Sequence, residues 1–272
     1  MYNLVCFDID GTLLNKERTL SEYTIKVLRN LTIPFVLASS RMPKAMKYFY
    51  EQIGISNGSM ICYNGALTIN SIGEYICDIG IPAEVLKFIS SFKFESEFNM
   101  SVYAYDNWYT SAEDYWTLRE INNTRAQPIY LNETEISSIL KINNHKPHKI
   151  MCMGDIEIIE ELSNNLNNVF ENDLNLYRSK PTYLEITAKN INKASALALL
   201  NNAVFRVKPE SIIAFGDNMN DIELLKFAGL GVAVSNANPE VLNIADLITD
   251  SNINDGVAKS LVEILKLDIY KS

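Results

Sequence analysis

Two aspartates, Asp8 and Asp10, stand two residues apart in the segment Phe7-Asp8-Ile9-Asp10-Gly11-Thr12, just past a short apolar run. If the extended conformation persists through them, their side chains point to the same side. Gly11 then permits a sharp departure of the chain. Such a carboxylate pair suits a hard cation, or a nucleophile with a neighbouring general acid. An isolated Asp-x-Asp is equally at home in a solvated turn. A second acidic group lies far along the chain, in Phe215-Gly216-Asp217-Asn218-Met219-Asn220-Asp221, again after an apolar run. Asp217, Asn220 and Asp221 fall where a helix begins, and acidic residues there can merely complement the helix dipole. Ser39 ends a third apolar run, where a hydroxyl and backbone N–H groups favour an anion or simply cap a helix. Lys193, between these clusters, is the cation that such a site needs, or else a solvated lysine.

The elements that must carry these residues follow from the hydrophobic pattern. Leu4–Phe7, Pro34–Ala38, Met60–Tyr63 and Ser211–Phe215 read as buried strands. Helices are expected after Thr19, with Thr19 and Glu22 as a capping box and Ile25, Leu28 and Leu31 on one face. Others are expected from Pro43, over Lys193–Leu200, and over Asn220–Ala228 with Gly229 as its stop. Gly231–Val234 and Leu247–Ile248 are further short strands, and helices follow Asn238-Pro239 and span Val257–Leu265. Strand–helix alternation of this kind predicts an α/β fold with a doubly wound parallel sheet. Ligands of such sheets bind beyond the carboxyl ends of the strands, so the four segments should converge there.

The pattern changes near Pro82. From there an α+β module with antiparallel character is expected: helices over about 82–97, Glu113–Ile121, Glu133–Ile142 and Ile156–Leu166; a hairpin through Ser101–Tyr105 and Trp108–Ser111; and strands at Lys149–Met153, Leu174–Arg178 and Tyr183–Thr187. The expected division is a core of residues 1–81 and 188–272 with residues 82–187 inserted. Tyr103, Tyr105, Trp108, Tyr109, Tyr115 and Trp116 make the insertion aromatic, mostly for packing. His145 and His148 read as exposed-loop residues without catalytic role, and Arg41 as a substrate contact or a helix-surface ion pair.

With 272 residues, the chain has room for one large domain or two modest ones. A net charge of −9 argues against a nucleic-acid partner, because phosphate backbones select for Lys and Arg. No apolar run reaches membrane-spanning length, and the amino terminus has no basic region of a cleavable signal. Four cysteines without CxxC spacing suggest neither zinc nor a disulfide framework, so a reducing, cytoplasmic setting is expected. A nicotinamide enzyme is disfavoured because no GxGxxG follows the first strand.

The order and local sequence of these clusters resemble the haloacid dehalogenase-like superfamily, and within it the Cof-like sugar phosphatases. Asp8-Ile9-Asp10-Gly11-Thr12-Leu13-Leu14 matches the first family motif, Ser39-Ser40-Arg41 the second, Lys193 the third and Gly216-Asp217-Asn218-Met219-Asn220-Asp221 the fourth. Asn64-Gly65-Ala66, Leu184-Glu185-Ile186 and Asp255-Gly256-Val257 also fit that group. Ser40 and Ala194 stand where the family usually has glycine, each adding a side chain near the expected phosphate. The resemblance implies a Rossmann-like core with an inserted α/β cap. It implies a magnesium-dependent phosphatase of small phosphorylated metabolites, sugar phosphates first, acting through an aspartyl phosphate. Asp8 would be nucleophile and metal ligand. Asp10 would be the acid and base, with a raised pKa and with its backbone carbonyl on the metal. Asp217 would complete the ligands and Asp221 would orient them. Ile9, Ser39, Ser40, Lys193 and Asn220 would hold the phosphate. A phosphomutase and a non-catalytic phosphate-sensing module are the alternatives. Monomer and homodimer are both open.

Overall fold

The computed structural model describes residues 1–95 and 97–269. The chain divides into two compact units, one made of Met1–Arg41, Met46–Cys77 and Asn192–Ser272, the other of Met42–Ala45 and Asp78–Ile191.

The first stretch runs β1 (Leu4–Asp8), α1 (Glu22–Arg29), β2 (Phe35–Ala38), α2 (Pro43–Ile53), β3 (Ser59–Cys62), β4 (Leu67–Ile69) and β5 (Tyr75–Asp78). The middle stretch contains α3 (Ala83–Glu95), β6 (Asn99–Ala104), β7 (Asn107–Thr110), α4 (Tyr115–Thr124), β8 (Ile129–Tyr130), α5 (Glu133–Ile142), β9 (Lys149–Met153), α6 (Ile156–Phe170), β10 (Leu174–Lys180) and β11 (Tyr183–Ala188). The chain closes with α7 (Lys193–Leu200), β12 (Ile212–Gly216), α8 (Ile222–Phe227), β13 (Leu230–Val234), α9 (Pro239–Ile244), β14 (Leu247–Thr249) and α10 (Gly256–Leu265).

One eight-stranded sheet has the order β14-β13-β12-β1-β2-β3-β4-β5. It is parallel from β14 through β3, as the doubly wound reading predicts. Strands β1, β2, β3 and β12 are buried along their whole length, because helices cover both faces of a parallel sheet. Phe7 stacks on Phe215 and meets Phe35 edge-on, joining neighbouring strands in the core. Since β1 lies between β12 and β2, the loops after these three strands leave the sheet side by side. The antiparallel edge formed by β4 against β3 was not expected from the sequence.

The second sheet has the order β10-β11-β9-β6-β7-β8 and is antiparallel except for the β7–β8 pair. Its core gathers Val85, Ile89, Val102, Ile150, Leu162 and Leu184. Tyr103 and Trp108 are buried and stacked on each other, which is packing, as expected for most of the aromatic set. Tyr115, by contrast, is exposed.

Three local expectations need correction. The cap of α1 is Ser21, whose Oγ accepts from Thr24 N–H at 2.9 Å, so Thr19 and Glu22 form no capping box. The buried face of that helix is accordingly Thr24, Val27 and Leu28. Gly229 is no left-handed helix stop: a Cβ there would lie 2.3 Å from the Glu210 carbonyl oxygen, so close backbone approach explains it. His148 is fully buried; its Nε2 faces Asp78 Oδ1 at 3.0 Å, and its Nδ1 accepts from Tyr105 N–H at 3.2 Å. Accepting at Nδ1 makes the ring neutral with its proton on Nε2. Burial pushes the His148 pKa down, further than the hydrogen bond and charge of Asp78 raise it. No helix among the described residues is long and apolar enough to cross a membrane.

Candidate active site

Extended backbone ends at Asp8, and the chain turns at once: Leu13 and Leu14 N–H both donate to the Ile9 carbonyl. Gly11, at φ +88°, is required twice over. Its backbone is left-handed, and a Cβ there would sit 2.2 Å from Asp217 Oδ2. The loop is lashed from outside by Asn236 Nδ2, which donates to the Gly11 carbonyl at 2.8 Å, and by Asn252 Nδ2, which donates to the Leu14 carbonyl at 2.7 Å.

The buried centre is an ion cluster. Lys193, placed on the first turn of α7 by the Asn192 cap, is fully buried and donates to Asp8 Oδ1 at 2.6 Å and to Asp221 Oδ1 at 2.7 Å. Asp221 is also fully buried, and its Oδ2 accepts from the Asp217 and Asn218 N–H groups at 3.0 and 3.1 Å. Both of its oxygens are therefore engaged. Asp217 Oδ1 accepts from Thr12 Oγ1 at 3.1 Å. Gly216 leaves room for Asp221, since a Cβ there would lie 2.4 Å from the Asp221 Cβ.

Ligand atoms of Asp8, Asp217 and Asp221 lie within 4.8 Å of one another. Burial pushes the Asp8 carboxyl well up, and the negative charges of Asp221 and Asp217 add to this against the pull of Lys193. Burial and Asp221 likewise push Asp217 up to about 6. Lys193 moves the other way: burial disfavours its charge, but Asp221 and Asp8 outweigh that and keep it an ammonium. One ammonium against three carboxylates leaves negative charge uncompensated. Asp8 Oδ2, moreover, is buried without a hydrogen-bond partner among the described residues. A hard divalent cation with oxygen ligands would answer both the charge and the bare oxygen, so the donor set fits magnesium. Asp8 and Asp217 would hold it, while the engaged oxygens of Asp221 suit a supporting role.

Asp10 stands apart from this cluster. Arg41 Nε and Nη2 bind its two carboxylate oxygens, each at 2.6 Å, with Asp10 41% exposed and Arg41 only 7%. Partial burial opposes ionisation, but the hydrogen bonds and charge of Arg41 win and hold the Asp10 carboxyl below its usual range. The raised pKa expected for a proton donor is thus replaced by a lowered one. The reason is a cation whose partner the sequence left open.

The remaining residues connect through these. Ser39 Oγ accepts from Arg41 N–H at 3.2 Å, which makes the hydroxyl a local cap. Ser40 follows it, half-buried. Asn220 Nδ2 donates to Asn64 Oδ1 at 3.0 Å. So Asp8, Asp217, Asp221 and Lys193 meet directly, whereas Asp10, Ser39 and Asn220 are tied in by Arg41 and Asn64. Asn236 and Asn252 brace the loop from segments that sequence reasoning did not single out, and Thr12, within the first motif, ties it to Asp217. For Asn236 and Asn252 the only signal was the frequency of Asn in turns.

The match to known proteins covers the whole assembly. The family model of haloacid dehalogenase-like hydrolases matches residues 5–261. A Haemophilus influenzae protein named "Putative phosphatase" is 32% identical, over 97% of this chain and 98% of its own. The 5-amino-6-(5-phospho-D-ribitylamino)uracil phosphatase YcsE of Bacillus subtilis is 29% identical, over 95% of this chain and 94% of its own. Among solved structures, a haloacid dehalogenase-like hydrolase from Bacteroides thetaiotaomicron superposes with a TM-score of 0.89 at 26% identity, covering 97% of this chain and all (100%) of that one. The chain belongs to the haloacid dehalogenase-like hydrolase family and is one of its phosphatases.

Proposed function

We propose that this enzyme is a magnesium-dependent phosphatase of small phosphorylated metabolites, sugar phosphates first, working through an aspartyl phosphate on Asp8. The observation that carries the reading is the division of the Asp8 carboxylate. Oδ1 is fixed by Lys193, while Oδ2 is buried and bare, the state expected of an oxygen kept for phosphorus and a cation.

When bound, magnesium would offset the charge of the phosphate dianion and of the carboxylate that approaches it. Asp8 attacks phosphorus in line; a bond forms to its oxygen as the bond to the leaving alcohol breaks. Lys193, already an ammonium held by Asp8 and Asp221, supports the charge that spreads over the phosphoryl oxygens. The amide of Asn220, Ser39, and N–H groups of Ile9 and Ser40 are the proposed further contacts to those oxygens. In the second half, Asp10 takes a proton from water, which attacks phosphorus and returns Asp8 as a carboxylate. The Arg41 pair keeps Asp10 in the form this step needs. In the first half Asp10 must instead carry a proton and pass it to the departing alcohol, which requires that the Arg41 pair loosen, so poor leaving groups should tolerate loss of Arg41 best.

Residues 82–187 are proposed as the cap that selects the leaving group, inserted in a core of residues 1–81 and 188–272. The relative from Bacillus subtilis is named for a ribityl phosphate, a polyol chain, which supports a polyhydroxylated leaving group here. The test is turnover of an aryl phosphate and of a panel of sugar and polyol phosphates, with magnesium and with chelator. Asp8→Asn should abolish release of inorganic phosphate; retained turnover in that variant would remove Asp8 as nucleophile. Isomerised sugar phosphate in place of inorganic phosphate would favour a mutase.

A further inference from the structure

The turn after β3 carries chemistry that neither its position nor the mechanism above accounts for. Tyr63, Asn64 and Gly65 all have positive φ, at 53°, 56° and 113°. Gly65 takes such backbone freely, but Tyr63 and Asn64 do not, and for a fully buried tyrosine it is costly. Something must hold them there. Tyr63 N–H donates to the Arg41 carbonyl at 3.2 Å, and Asn64 N–H to the Ser39 carbonyl at 3.0 Å. On another side, Gly65 lies so close to the cap of α7 that a Cβ would stand 2.6 Å from the Asn192 carbonyl oxygen, one residue before Lys193. On a third side, the buried side chain of Asn64 accepts from Asn220 Nδ2 at 3.0 Å. A single three-residue turn therefore touches the segments that carry Ser39 and Arg41, Lys193, and Asn220.

We infer that Asn64 is a positioning residue for the reaction: its side-chain oxygen sets the orientation of the Asn220 amide, and so of one phosphate contact. This deepens the reading above, on which the role of Asn220 rests. The amide of Asn220 has two N–H groups and one oxygen. With one N–H held by Asn64, the other is left with a fixed direction in which to meet an anion. Asparagine suits the place because it tolerates left-handed backbone better than most residues while supplying an acceptor.

Two substitutions separate the side chain from the backbone. Asn64→Gly keeps, even eases, the left-handed turn but removes the acceptor, whereas Asn64→Ala removes the acceptor and adds strain. If Asn64 acts through Asn220, kcat/KM for an aryl phosphate falls by about tenfold in both variants, the size of one lost orienting hydrogen bond. The inhibition constant of inorganic phosphate rises in parallel. Adding Asn64→Gly to Asn220→Ala then costs nothing further, as expected for residues acting in series. If the residue serves only the turn, Asn64→Gly matches the wild type, Asn64→Ala melts lower, and the inference is overturned; independent, multiplying losses in the double variant overturn it as well. Binding of inorganic phosphate with magnesium, measured by calorimetry, gives the same comparison without turnover. A wild type that binds phosphate but hydrolyses no ester would fail the phosphatase reading alone, and one that binds none would fail both.

Discussion

Arg41 and Asp10 form a two-pronged ion pair, with both carboxylate oxygens engaged at 2.6 Å by a guanidinium that is itself buried and lies over the Phe49 ring. Such a fork fixes the plane of the carboxylate as well as its charge. Lysine cannot reproduce that geometry. Arg41→Lys is therefore expected to lower kcat by at least about tenfold, because misorientation of a catalytic group is costly. Removing the guanidinium altogether, in Arg41→Ala, relieves the pull that holds the Asp10 carboxyl low. The kinetic pKa assigned to Asp10 then moves upward. A pH–kcat profile identical to that of the wild type would end this assignment.

Magnesium should stabilise the protein through the Asp8–Asp217 pair. At a hundredfold excess over Kd, binding adds about 2.7 kcal/mol, which corresponds to a rise of roughly 5 °C in melting temperature for a chain of this length. The sign with pH is fixed by Asp217, whose carboxyl is pushed up to about 6 without a cation. Below that pH protons compete with the metal, so the thermal shift shrinks as pH falls through 6. Asp217→Asn should lose most of the shift at every pH. A calorimetric or dye-based melt with and without chelator measures both effects.

Gly11→Ala tests the fit of the first loop against the fourth. Left-handed backbone at φ +88° with a side chain costs about 1–2 kcal/mol. The larger effect is functional: the new methyl would displace the Asp217 carboxylate, whose Oδ2 lies 2.2 Å from its site. Activity should fall by about a hundredfold while urea denaturation shows a folded protein. Near-normal turnover would mean that Asp217 has freedom the structure does not display.

His148 gives a stability prediction in the other unit. Its pKa is lowered in the folded state, so that state binds fewer protons than the unfolded chain below about pH 6.5. Its contribution is complete above that pH and is lost as pH falls through the lower, folded value. Denaturation midpoints should drop on acidification, and His148→Gln should show a flatter dependence. An equal slope in the two proteins would assign the acid sensitivity elsewhere.

The legible parts of the fold are those written in local pattern. Leu4–Phe7 and Ser211–Phe215 are continuous apolar runs because parallel strands are covered on both faces. Helix α5 falls where the sequence placed it, over Glu133–Ile142, and the structure shows that Asn132 and Glu135 close a capping box at its start. What escaped was set by contacts distant in sequence. Ser21 outcompetes Thr19 as a cap while its hydroxyl also donates to Asp255 at 2.5 Å, 234 residues away. Tyr75–Asp78 is only partly buried, so its strand lacks a clean alternation. The acidic and lysine residues of the site were visible by type and spacing. Which cation each carboxylate takes was not, and that pairing is what separates the chemistry of Asp8 from that of Asp10.

The position of β1 has a consequence for how the molecule comes into being. Its two neighbours in the sheet differ greatly in arrival: β2 follows within about thirty residues, whereas β12, paired through Leu4↔Ile212, follows after about two hundred. At some 5–20 residues per second of synthesis, one flank of this apolar strand waits roughly 10–40 seconds for its partner. Throughout that interval Asp8 lacks Asp217 and Asp221, and Lys193 is made only near its end. Completing the catalytic centre is therefore among the last events of folding, and a nascent chain halted before β12 carries the nucleophile without the carboxylates of Asp217 and Asp221.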